Sequence, residues 1–122
     1  MNDRNELALA RAALNQENSN DNSCPKGYES LASVLSDALL HAAEGKGNIR
    51  HGNNKAFLDQ PMLEITRMVG LGFVLGQAMK KAQESRGMVR RKEFDAARNE
   101  LLGAINYLAG AVLVIDEWKE ER

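Results

Sequence analysis

Large apolar side chains recur every seven residues late in the chain, at Phe94, Leu101, Leu108 and Ile115, and Ala97, Ala104, Ala111 and Trp118 repeat three places further on. Two turns of α-helix take about 7.2 residues, so this spacing keeps each set on one side of a helix, with one large row beside one small row. A strand alternates with period two and cannot hold the same residues on one face. The spacing predicts a helix from about Arg90 to Glu120, and no segment of the chain alternates in the manner of a strand.

The preceding segment predicts a second long helix, from Pro61 to about Ser85. Asp59 is placed to cap it, and Pro61 falls in the first turn, where a missing N–H costs nothing. Gly87 in "ESRGMVRRKE" is expected to close it, and so short a connection makes the two helices an antiparallel pair. Gly70, Gly72 and Gly76 each cost about 1 kcal/mol relative to alanine, which close approach of a neighbouring helix would offset. Upstream, Leu31, Val34, Leu35, Ala38, Leu39 and Ala42 share one helical face, with Gly45 placed as a stop. The expected fold is all-α, an amphipathic helix followed by a long antiparallel αα-hairpin.

At 122 residues and 43% hydrophobic the chain fits one domain with a modest core. Between Met68 and Met79 apolar residues surround the helix, more than one short helix can cover, so self-association is expected. The tract "NQENSNDNSCPKG" is too polar to bury a core, which makes residues 1–27 a flexible arm ahead of a helical hairpin domain over 28–122. No apolar h-region follows a basic start, and the charge-free runs Met68 to Met79 and Leu101 to Ile115 fall short of the ~20 residues of a membrane span. Cys24 has no internal disulfide partner. A soluble, cytoplasmic protein is expected, without a membrane partner.

Net charge is −1, so any anion site is local. The stretch "GKGNIRHGNNKAFLDQP" packs Lys46, Arg50, His51 and Lys55 among glycines and asparagines, with no acid until Asp59. Glycine frees backbone N–H groups, and Lys46, Arg50 and His51 could add charged donors to a phosphate; the competing account is an ordinary solvated loop. It is no Walker A loop, because GxxxxGK[ST] is absent. Arg67 is either a surface partner of Glu64 or a phosphate-facing cation. The basic cluster Arg86, Arg90, Arg91 and Lys92 lacks interleaved aromatics, so nucleic acid is not the expected partner. An all-α nucleotide pyrophosphohydrolase would need paired ExxE and ExxD carboxylates to hold magnesium, whereas Glu64 is followed at three residues by Arg67 and Glu100 by Gly103. No enzymatic activity, metal or cofactor is expected, with a divergent hydrolase and a helical inhibitor of a host protein as alternatives.

"KGYESL", opening a helix at Lys26, Gly27, Tyr28 and Leu31, and then "DQPMLEITRMVGLGFVLGQA" resemble the helical-hairpin sponges by which phages defeat the CBASS and Thoeris immune systems. In that family a Lys-Gly-Tyr start precedes one helix, and an Asp, a Leu-x-Ile-x-Arg stretch and a Gly-Phe pair mark the long one; the matching positions are Asp59, Leu63, Ile65, Arg67, Gly72 and Phe73. The resemblance spans roughly residues 26–82; the long arm and the basic loop depart from it. It implies an oligomer built from dimers, up to a hexamer, that binds cyclic nucleotide signals without cleaving them. It also implies ligand roles for Lys26, Tyr28 and Arg67, with Tyr28 stacking on a base.

Overall fold

The computed structural model describes residues 24–44 and 55–121. Among them all regular structure is helical: α1 Glu29–Glu44, a 3-10 turn Phe57–Asp59, α2 Pro61–Val69, α3 Gly72–Arg90 and α4 Phe94–Glu120. The all-α expectation holds. The chain divides into two units, Met1–Val34 and Leu35–Arg122, and α1 begins in the first and continues into the second.

In the first unit the Tyr28 N–H donates to the Pro25 carbonyl at 3.0 Å, which closes a turn, and Gly27 takes the left-handed φ of +88° that the turn requires. The Glu29 carboxylate accepts from the Gly27 N–H at 3.0 Å, placing an acid at the positive end of α1.

In the second unit several sequence expectations about helix ends are corrected. Gln60, not Asp59, is the N-cap of α2, and it makes no side-chain cap bond; Asp59 instead closes the 3-10 turn. The long helix is broken at Gly70, whose φ of +100° is outside the helical region and whose N–H still donates to Thr66 at 2.8 Å. Helix resumes at Gly72 and passes through Gly87 to Arg90. The stop lies at Lys92, a non-glycine at φ +62°. There the Glu93 N–H reaches the Met88 carbonyl at 2.8 Å and the Lys92 N–H reaches Val89 at 2.9 Å, the paired bonds of a Schellman ending. α4 then starts at Phe94 rather than Arg90.

Packing within this unit is chiefly α3 on α4, with α2 on both. The small row of α4 faces inward: Ala97, Ala104 and Ala111 are buried, together with Val114, Leu63 and Thr66 of α2, and Val74 and Ala78 of α3. Alanine lets helix axes approach, and two glycines on α4 take that further. A Cβ on Gly110 would lie 3.0 Å from Leu63 Cδ2, and one on Gly103 would lie 3.2 Å from the Lys81 stem. The close approach expected at Gly70, Gly72 and Gly76 is not made among the described residues, since none of them lies within 4 Å of a Cβ built at any of the three. Thr66 is fully buried and satisfies its hydroxyl on the Met62 carbonyl at 2.7 Å.

The large row points out. Phe94 is 61% exposed, Leu108 47%, and Leu101 and Ile115 more than two-fifths each; Met68, Val69 and Met79 are also exposed. By length and composition α4 is long and apolar enough to cross a membrane, although the charge-free run within it is shorter than a span.

Candidate functional site

Of the six residues the sequence nominates, Lys46, Arg50 and His51 lie outside the described residues. Lys26 and Tyr28 are exposed on the turn that opens α1, within two residues of each other, with the Tyr28 ring 59% accessible. An open phenol face beside an ammonium can stack on a planar ring and attract an anion attached to it.

Arg67 is in a different setting from either one anticipated. Its partner is not Glu64, one turn away, but Glu117, fifty residues on in α4. Nε donates to Oε1 and Nη2 to Oε2, both at 2.8 Å, and Nη2 also donates to the Leu58 carbonyl at 2.9 Å. The hydrogen bond from Arg67 holds the Glu117 carboxyl below its ordinary range against the opposing effect of desolvation, and the same bond keeps the Arg67 guanidinium above its own. Both side chains keep about a third of their surface in solvent, 33% and 36%. An anion arriving at Arg67 therefore competes with a carboxylate already in place.

A cavity of about 610 Å³ is bounded by α1, the 55–60 segment and α4. Leu35, Leu39, Phe57, Ile105 and Leu113 give it apolar walls, and Asn106, Lys55 and Gln60 are its polar residues. The cavity has a simple origin. α1 meets α4 through polar contacts, the Arg98–Asp37 pair at 2.6 Å and the Asn106 amide donating to the Ala38 carbonyl at 2.9 Å, so its leucines stand off instead of interlocking. Gln60 Nε2 donates to the Lys55 carbonyl at 2.9 Å and fixes the floor. The described chain breaks off after Glu44 and resumes at Lys55, so the lining residues Ala43 and Lys55 sit close to the two ends of the segment that carries the basic residues.

Deeper in α4, Tyr107 is half-buried, with Phe73 edge-on at 6.4 Å and Lys81 Nζ 5.9 Å from its ring. Burial, reinforced by the Glu100 charge, pushes its phenol up from its usual range. Lys81 also pairs with Glu100 at 3.6 Å. Among the described residues no group of three or more His, Cys, Asp and Glu is placed to hold a metal ion.

Sequence reasoning missed Phe57, Gln60 and Asn106 as cavity residues. Leu35, Leu39 and Ala42 were legible as an apolar face, but the face alone gives no sign that the space against α4 would be left unfilled. Compared with known proteins, the chain matches no family model, no curated protein and no solved structure.

Proposed function

We propose that the chain is a helical binding protein that assembles from dimers and sequesters a cyclic nucleotide signal without cleaving it. The α3–α4 pair, joined by only three residues, serves in this reading as the antiparallel hairpin of the resemblance. The observation that carries the proposal is the cavity. Its 610 Å³ falls in the size range of small-molecule sites, roughly 300–1,000 Å³, and its apolar walls with a few amides and one ammonium suit a nucleobase with phosphates turned outward.

Lys55 stands at that cavity, and the sequence supplies Lys46, Arg50 and His51 immediately before it. Lys26 and Tyr28 are carried by the resemblance and by their exposure. Arg67 contributes only by exchanging Glu117 for a phosphate.

Calorimetry with cyclic dinucleotides, cyclic trinucleotides and cyclic ADP-ribose isomers tests the reading. Wild type should bind at least one of them, and Arg50→Ala should weaken that binding tenfold to a hundredfold, the loss of one charge-assisted hydrogen bond worth about 1.5–3 kcal/mol. Arg50→Lys should recover only part, since charge returns without the planar fork. Wild type binding none of the panel, or Arg50→Ala binding as tightly in an intact fold, contradicts it. The exposed row on α4 favours a second reading, a helical inhibitor of a host protein.

A further inference from the structure

The outward face of α4 carries more order than exposure alone. Phe94, Leu101, Ile105, Leu108, Val112 and Ile115 fall on a repeat whose steps alternate between four and three residues once Arg98 is included between Phe94 and Leu101, and Lys119 continues it. Five of those six apolar side chains are more than two-fifths exposed, and Ile105 is half-buried. The repeat is distinct from the inward row of Ala97, Ala104 and Ala111. A seam of this spacing keeps facing one partner helix along its whole length.

The four-residue steps lead to Ile105 and Val112 and the three-residue steps lead to Leu101, Leu108 and Ile115, so apolar residues fill both core positions along the middle of the seam. Charge then fixes direction. Arg98 and Lys119 occupy seam positions near the two ends, with Asp95 and Asp116 each three residues before them. A parallel partner would set Arg98 against Arg98 and Lys119 against Lys119 in the same layers. An antiparallel partner sets each cation opposite an apolar residue, Arg98 against Ile115 and Lys119 against Phe94; it brings Asp95 of the other copy beside Lys119, while Arg98 keeps Asp37 of its own chain. The middle layers then pair Leu101 with Val112 and Ile105 with Leu108, so every seam position has a counterpart.

We propose that this face of α4 is the interface with a second copy of the chain, two α4 helices packing antiparallel about a two-fold axis between the Ile105–Leu108 layers. Such an interface is self-complementary, as two-fold symmetry requires. It supplies the dimer that the proposed function uses and shares Ile105 with the cavity wall, but it does not depend on the ligand, because a chain that binds no nucleotide would still pair through this seam.

The experiment uses the full chain in a Cys24→Ser background. Light scattering should give an even multiple of 13.5 kDa, and Leu108→Glu should lower that mass at least twofold with helix content by circular dichroism retained. Cysteine pairs provide a readout that does not depend on a destabilised variant. Leu101→Cys with Val112→Cys should oxidise to a covalent dimer, whereas either substitution alone should not, because like residues in the antiparallel arrangement lie about 16 Å apart along the axis. A wild-type mass of one chain overturns the proposal. So does efficient cross-linking by Leu101→Cys alone, which reports parallel pairing, or a Leu108→Glu variant of unchanged mass. Flotation of wild type with phosphatidylethanolamine–phosphatidylglycerol vesicles, lost in Leu108→Glu, would assign the face to a membrane instead.

Discussion

Arg67 and Glu117 form a bidentate pair, two N···O bonds of 2.8 Å between residues fifty positions apart, and the same guanidinium holds the Leu58 carbonyl. One side chain thereby ties α2, the 3-10 turn before it and the C-terminal end of α4. Both partners are about one-third exposed, so solvent screening limits the pair to the upper part of the range of about 0.2–1 kcal/mol seen for surface pairs.

The pair also sets an acid dependence. Glu117 is depressed in the folded chain, so its contribution is present above the ordinary glutamate value of about 4.3 and is lost as pH falls through the lower folded value. Urea unfolding should show Glu117→Gln less stable than wild type at neutral pH, by up to about 1 kcal/mol, with the gap closing on acidification through and below that window. A gap that persists unchanged in acid would contradict an electrostatic origin.

Lys92 bears the left-handed conformation at the end of α3, φ +62°, where glycine would be unstrained. Its two Schellman bonds use backbone only. Lys92→Gly should therefore stabilise the chain by about 0.5–1 kcal/mol, less than the roughly 1–2 kcal/mol cost of that conformation because glycine also loses more freedom on folding. The check is the midpoint of urea denaturation, and a lowered midpoint counts against this assignment of the turn.

Glycine substitutions on α3 and α4 should have opposite signs. Gly76→Ala places its methyl in open space, so helix propensity alone predicts a gain of about 1 kcal/mol. Gly110→Ala drives a methyl to 3.0 Å from Leu63, which is fully buried and has little room to give. Overpacking of about 1–3 kcal/mol should outweigh the propensity gain and leave the variant less stable. If instead Gly76→Ala lowered stability or oligomer mass, a second copy would have to approach α3 rather than α4.

The helices themselves were legible because apolar spacing in α1 and α4 follows the helical period over several turns. Their ends were less so. Between Met68 and Met79 apolar residues fall on every side, so periodicity gave no sign that Gly70 leaves the helix, and glycine is compatible with either outcome. Gly87 looked like a stop, yet the left-handed position fell to Lys92, a residue type with no preference for it. The seven-residue rows predicted close packing but not which row lay inside; small side chains won because they allow α3 and α2 to approach α4. Arg67–Glu117 depends on how distant segments pack, and nothing local to Arg67 distinguishes Glu117 from Glu64.

Native mass spectrometry of the chain mixed with cyclic dinucleotides, cyclic trinucleotides and cyclic ADP-ribose isomers addresses assembly and ligand together. Sequestration predicts an even multiple of 13.5 kDa that retains one ligand class at its intact mass, with that ligand recovered unchanged after denaturation. A single-chain mass with no member of the panel bound, or recovery of a cleaved nucleotide, would contradict the account.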